Sequence, residues 1–316
     1  MKTELLIIGP SVERHGLGGV TIHVQRLREY LDKEEFDYSF QDYKGNSQWD
    51  IICAINKAKV VHIHVSNPVY QFMLVCYCKL MRKKVIMTLH GDYGRFDQFR
   101  NLLVRGSIKL SKIPIVINAK SYTACKKINK NTKWIPAFIP PQKEERLGEG
   151  IKELLERLRI EGKVIVSTNA STLSYDKKGK EIYGIDFLVS YFCNLKDMVL
   201  VVSDPSGKYH ERYSGLSSES VCFIDYPHPY FDLLKNVDMF VRNTSTDGDA
   251  LSVKEAIYLG VPSLCSDVVD RPDGVHLFKY CDKDSFEDAL RTKKTKEVTI
   301  ENGAEAVLSV YKGLLQ

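Results

Sequence analysis

The residues with the clearest chemical promise lie in one stretch of the last quarter of the chain. It reads Thr244-Ser-Thr-Asp247-Gly248-Asp249-Ala250-Leu251-Ser252-Val-Lys-Glu255-Ala-Ile-Tyr-Leu-Gly260-Val-Pro262. An apolar run over 238–242 predicts a strand leading into it. A polar turn follows, then helical spacing from about Ala250 to Gly260, a residue suited to a left-handed C-terminal cap. The first N–H groups of such a helix, around Ala250, Leu251 and Ser252, lack partners within it and favour an anion such as a diphosphate. Two other readings fit the same residues. Ser252 and Glu255 have the spacing of a capping box, in which side chains satisfy the backbone donors and no ligand is needed. Asp247 and Asp249 form a carboxylate pair of the kind that holds Mn²⁺ or Mg²⁺.

Further candidates stand at other strand ends. His90 closes an apolar run at Thr88-Leu89-His90-Gly91. Gly18 and Gly19, then Val20 and His23, follow the first strand, and glycine there lets backbone approach a ligand closely. This is not a dinucleotide fingerprint: G-x-G-x-x-G read from Gly16 puts Thr21 in place of the last glycine, and the Walker pattern is absent. His62 and His64, on a buried strand, read as structural, with at most one of them expected to face a ligand. Asn169 and Ser171 end another strand, and Lys177, Lys178 and Lys180 follow in its loop. The segment Tyr77-Cys-Lys79-Leu-Met-Arg82-Lys83-Lys84 ends an apolar helix with four basic residues. They suit either anionic lipid head groups or the negative end of the helix itself.

The elements that must position these residues alternate between β-branched runs and helical spacing, the mark of parallel sheets. In the first half the pattern predicts strands at 4–9, 37–43, 59–65, 84–90, 114–119 and 133–139, and helices at 19–31, 47–56, 68–81 and 121–130. The second half predicts strands at 163–168, 198–203, 221–225, 238–242, 263–266 and 276–279. Its helices fall at 184–194, 230–236, 250–259, 285–291 and 304–314. The reading is α/β, with two Rossmann-like domains, 1–140 and 151–300, joined by a proline-rich and charged linker at 141–150, and a last helix within 301–316.

Composition sets outer limits. At 316 residues, with 44% hydrophobic and 27% charged, the chain suits two folded domains rather than a disordered or fibrous class. The net charge of +5 is a mild excess spread over the length, unlike a nucleic-acid-binding arm, so no nucleic-acid partner is expected. The eight cysteines show no paired metal or redox spacing and read as reduced thiols. The first residues do not resemble an export signal. The most apolar segment, 69–78, is shorter than the roughly 20 residues that span a bilayer. A cytoplasmic location is expected, at or near the inner face of a membrane.

Asp247, seven further residues and Glu255, followed one helix later by Gly260-x-Pro262, resemble the E-x7-E segment of retaining glycosyltransferases of the GT-B fold, family 4. Aspartate in the first position departs from the usual glutamate. The resemblance implies a GT-B architecture, with parallel sheets facing a central cleft, 1–140 on the acceptor side, 151–300 on the donor side, and the helix within 301–316 crossing back to the first domain. It further implies transfer of a sugar from a nucleoside diphosphate sugar to a carbohydrate or lipid-linked acceptor, in bacterial surface polysaccharide assembly, without a metal or other cofactor. It gives His90 and Asp247 the catalytic positions beside the donor sugar and Glu255 the nucleotide ribose. The diphosphate and sugar fall to Gly19 and the backbone from Gly248 through Asp249, Ala250 and Leu251 to Ser252, and the acceptor side to Gly18, Val20 and His23. The Arg/Lys pair that family members use against the diphosphate is absent, Tyr183-Gly184 standing where Lys-Gly is expected. Arg242 or the loop lysines Lys177, Lys178 and Lys180 are left to replace it, and Asn169 and Ser171 are further donor-binding candidates. A peripheral membrane contact accords with a lipid-linked acceptor. Rival implications are a non-catalytic nucleotide-sugar-binding subunit, or an epimerase or phosphorylase of the same fold.

Overall fold

The computed structural model describes residues 4–12, 18–176, 178–216, 218–247, 250–291 and 298–316. The chain divides into two compact units: unit 1 is Met1–Lys143 with Glu301–Gln316, and unit 2 is Glu144–Ile300. Unit 1 begins with β1 (Leu5–Gly9), α1 (Gly19–Lys33), β2 (Ser39–Asp42), α2 (Gln48–Lys57), β3 (Val60–Ile63) and α3 (Pro68–Leu80). It continues with β4 (Lys84–Leu89), α4 (Gln98–Leu110), β5 (Ile113–Val116), α5 (Ala119–Ile128) and β6 (Lys133–Trp134). Unit 2 runs through α6 (Glu149–Ile160), β7 (Val164–Asn169), α7 (Ile185–Phe192), β8 (Met198–Ser203), α8 (Lys208–Arg212) and β9 (Val221–Ile224). After these come α9 (Tyr230–Leu234), β10 (Met239–Arg242), α10 (Leu251–Tyr258), β11 (Ser263–Ser266), β12 (His276–Phe278) and α11 (Lys283–Arg291). The last element, α12 (Gly303–Leu315), returns the chain to unit 1.

Among the described residues each unit holds one six-stranded sheet in which every strand pairing is parallel. Helices cover both faces, which is why the strands read as continuous apolar runs rather than alternating ones. In unit 1, Leu5 and Ile7 join a cluster with Leu27 and Leu31 of α1 and Val307 and Tyr311 of α12. Leu6 and Ile8 join Ile51 and Ile55 of α2 and Val75 of α3. In unit 2, Ile165, Val199 and Val201 bury against Leu155 and Leu158 of α6, while Val166, Leu200 and Val202 bury against Leu188 and Phe192 of α7.

Sheet order decides where a ligand fits. Unit 2 runs β12-β11-β10-β7-β8-β9, so the chain reverses direction across the sheet between β7 and β10. Unit 1 runs β2-β1-β3-β4-β5-β6, with the reversal between β1 and β3. At such a switch point the loops leave in opposite directions and a crevice opens at the carboxyl ends of the strands.

Helices α4 and α6, and the short α8, go beyond what the periodicity predicts. Helix α4 has a good N-cap, Asp97 Oδ1 accepting from Arg100 N at 2.9 Å, but only a narrow buried stripe of Val104, Ser107 and Ile108. Its Gly106 lies under the Phe72 ring of α3, where an added Cβ would come within 2.6 Å of ring carbon. Helix α6 begins inside the stretch expected to be linker, because its charged face hides the buried Ile151, Leu155 and Leu158.

Candidate functional site

The carboxyl ends of β7 and β10 carry a buried charge cluster at the switch point of unit 2. Arg242, the last residue of β10, donates from Nη1 to Asn169 O at 2.9 Å and Asn169 Oδ1 at 3.2 Å. Its Nε reaches Asp247 Oδ2 at 3.0 Å and its Nη2 reaches Oδ1 at 3.4 Å. The guanidinium carbon lies 5.0 Å from the centre of the Tyr183 ring, so the residue standing where lysine was expected supports Arg242 through its aromatic face.

A second arginine, which sequence reasoning missed, completes the cluster. Arg271 donates from Nη1 to Asp247 Oδ2 at 2.9 Å and from Nε to Ser266 O at 3.2 Å. The side chains of Arg242, Asp247 and Arg271 are 11%, 9% and 3% exposed, so this ion triad is nearly dry. Burial pushes the Asp247 carboxyl up, but Arg242 and then Arg271 outweigh it and hold the group below the ordinary carboxylate range. Asp247 is therefore ionised, and the triad keeps one surplus positive charge. Ser266 Oγ, bonded to Thr244 N and Thr244 O at 3.0 and 2.7 Å, ties the ends of β10 and β11 together beneath it.

Helix α10 begins at Leu251, four residues after Asp247, and its geometry corrects the capping-box reading. The N-cap is Ala250, whose methyl group accepts no hydrogen bond, and Ser252 sits inside the first turn rather than at the cap. The capping box therefore does not form, and among the described residues no cap side chain satisfies the first N–H groups of α10. Ser252 and Glu255 are both buried. At the other end Gly260, at φ +71°, closes the helix as expected: Gly260 N bonds Ile257 O at 2.9 Å and Val261 N bonds Ala256 O at 2.8 Å.

The remaining unit 2 candidates divide. Gly248, Asp249 and Lys177 lie outside the described residues. Ser171 is exposed on the loop after Asn169, as are Lys178 and Lys180; Lys180 Nζ stands 4.5 Å over the Tyr280 ring. Among the described cations left to replace the missing pair, Arg242 is the one that meets Asp247.

The switch point of unit 1 gathers histidines. His64 Nδ1 lies 2.9 Å from His90 Nε2, and His64 Nε2 lies 3.2 Å from His62 Nδ1. His62 also meets the Tyr311 hydroxyl at 2.6 Å and Thr88 Oγ1 at 2.8 Å. The expectation that at most one of His62 and His64 faces this side fails because residues two apart on a strand share a face. Their rings stand 4.0 Å apart. Burial, then the mutual repulsion that a second proton in the cluster would meet, with Arg95 adding to it at His90, holds His62, His64 and His90 well below the usual imidazole range, so all three are neutral near pH 7. Each N···N contact then needs one proton, and the tautomer of one ring fixes that of the next.

His23, from α1, approaches Ala137 O through Nδ1 at 2.8 Å, and its ring centre is 5.0 Å from that of His90. Nitrogen atoms of His23, His64 and His90 lie within 4.8 Å of one another, a spacing that a metal ion could use. The His64–His90 hydrogen bond would have to open first, since it places a proton where a metal requires lone pairs. Gly18 and Gly19 begin α1, with Thr21 Oγ1 accepting from Gly18 N at 2.9 Å; Val20 is half-buried, and a Cβ on Gly19 would meet open space.

Solved structures share this fold. HepE of Anabaena in complex with UDP-glucose is 12% identical, with a TM-score of 0.68 over 98% of both chains. The sucrose-phosphate synthase of Thermosynechococcus elongatus is 13% identical, with a TM-score of 0.62 over 98% of this chain and 96% of that one. The UDP-GlcNAc 2-epimerase of Methanocaldococcus jannaschii is 10% identical, with a TM-score of 0.62 over 98% and 99%. No protein-family model matches the chain, and no curated protein matches it. The architecture is that of the GT-B fold.

Proposed function

We propose that the chain is a retaining glycosyltransferase that takes a sugar from a nucleoside diphosphate sugar and passes it to a carbohydrate or lipid-linked acceptor. The observation that carries this reading is the arrangement at the unit 2 switch point. Asp247 and Glu255 keep the family 4 spacing, and between them α10 presents first-turn N–H groups that no described side chain caps, beside buried guanidinium. Such an arrangement suits the charge that develops on a departing nucleoside diphosphate. The likeness to HepE, a protein solved with UDP-glucose, supports the same donor class.

In this reading Glu255 holds the ribose, Asp247 and neutral His90 attend the donor sugar, and the leaving phosphate takes the acceptor proton in a front-face reaction. No metal is required, since positive charge at the diphosphate comes from side chains and helix dipole. Surface polysaccharide assembly is the setting proposed, in the cytoplasm. Exposed Lys79, Arg82, Lys109, Lys112 and Lys130, with exposed Leu80 and Met81, support a peripheral contact with an anionic membrane face. No helix among the described residues is long and apolar enough to cross a membrane.

One observation favours a second reading, a non-catalytic nucleotide-sugar-binding subunit: both oxygens of Asp247 are engaged by arginine. Thermal unfolding with UDP, GDP, ADP and their sugars, repeated for Glu255→Gln, tests the donor site. One nucleotide should raise the melting temperature of the wild type and do so less in the variant. No rise with any of them would sink the reading, and binding without turnover would favour the subunit.

A further inference from the structure

Two guanidinium groups share one carboxylate at the unit 2 switch point, and one of them is incompletely used. Arg271 spends Nε on Ser266 O and Nη1 on Asp247, while its Nη2 is buried with no hydrogen-bond partner among the described residues. The Arg271 side chain is 3% exposed. A charged donor removed from water and left unpaired is costly, and the triad around it already carries a surplus positive charge. An anion that reached Nη2 would cancel both costs.

We infer that Arg271, together with Arg242, is the cation pair that receives the donor diphosphate, with Arg271 Nη2 as the donor that contacts it. This rests on the nucleotide-sugar reading and adds to it the residue that takes the place of the missing Arg/Lys pair. Arg271 comes from the turn after β11, whereas the loop after β7, where the family places its cations, offers exposed lysines among its described residues. Ser266 O and Asp247 hold the guanidinium in place before any ligand arrives, so little freedom is lost on binding. Asp247 accordingly acts on both arginines as the group that orients them.

Calorimetric titration of the full chain with UDP, GDP and ADP, with the matching monophosphates and with inorganic pyrophosphate tests the assignment. Wild type, Arg271→Gln and Arg271→Lys are compared, with circular dichroism and melting temperature reporting the fold. The preference for diphosphate over monophosphate should fall at least about tenfold in Arg271→Gln, the scale of one lost charge-assisted contact, and recover in part in Arg271→Lys. Equal weakening of both nucleotides, or an unchanged preference, would overturn the inference and leave the donor reading standing. If Arg271→Gln does not fold, Arg271→Lys carries the test: it should weaken diphosphate binding more than monophosphate binding, and an unchanged ratio would overturn the inference. If no nucleotide binds the wild type, the donor reading fails and the inference fails with it.

Discussion

Asp247 shows how far a single residue is legible in the sequence. Its spacing to Glu255 is local and can be read along the chain, but its partner Arg271 lies 24 residues away, joined only by the folding of two strands. No periodicity carries such a contact. The histidines differ, since His62 and His64 need only the two-residue repeat of a strand to be placed together, and the expectation that split them misapplied that repeat. Asp247→Asn leaves two buried guanidinium groups without their counter-ion, so stability at pH 7 should drop by about 3–5 kcal/mol, measured by urea denaturation. The sign with pH follows from the lowered carboxyl. The wild-type advantage is present above the unfolded value of about 3.9 and is lost as pH falls through the lower folded value, so wild type and variant should converge in acid. A constant difference down to that range would contradict the ion-pair account.

At the scale of elements, the strands are the most legible part: 198–203 and 263–266 match β8 and β11 residue for residue. Helices α4 and α6 escape notice where a narrow apolar stripe sits among charges, a pattern that propensity alone does not separate from a loop. Close approaches between elements are also invisible. Gly303 opens α12 with its N–H bonded to Phe138 O at 2.8 Å, and a Cβ there would run into Pro136 O. The obstacle is backbone, which has little room to give. Gly303→Ala should cost about 1–3 kcal/mol of stability, read by denaturant unfolding, while Gly19→Ala, whose Cβ meets nothing, should cost less.

For the molecule as a whole, two sheets with crossovers follow from the repeated strand and helix pattern, and their switch points set where charge and imidazole collect. The buried histidines give the protein a predicted acid sensitivity. Their folded values are lowered, so the unfolded chain binds protons more readily, and stability should fall as pH drops below about 6.5. Melting temperatures between pH 8 and 5 should show this slope, flattened in a His62→Gln, His64→Gln double variant; an equal slope in both would place the sensitivity elsewhere. The return of α12 to unit 1 has a consequence for synthesis. The sheet of unit 1 is translated first, yet the helix that covers Leu5, Ile7 and Val60 emerges from the ribosome after all of unit 2. Unit 2 can complete its fold while the part of that face covered by Ala304, Val307 and Tyr311 is still open, so strands made before unit 2 are fully sealed only after it.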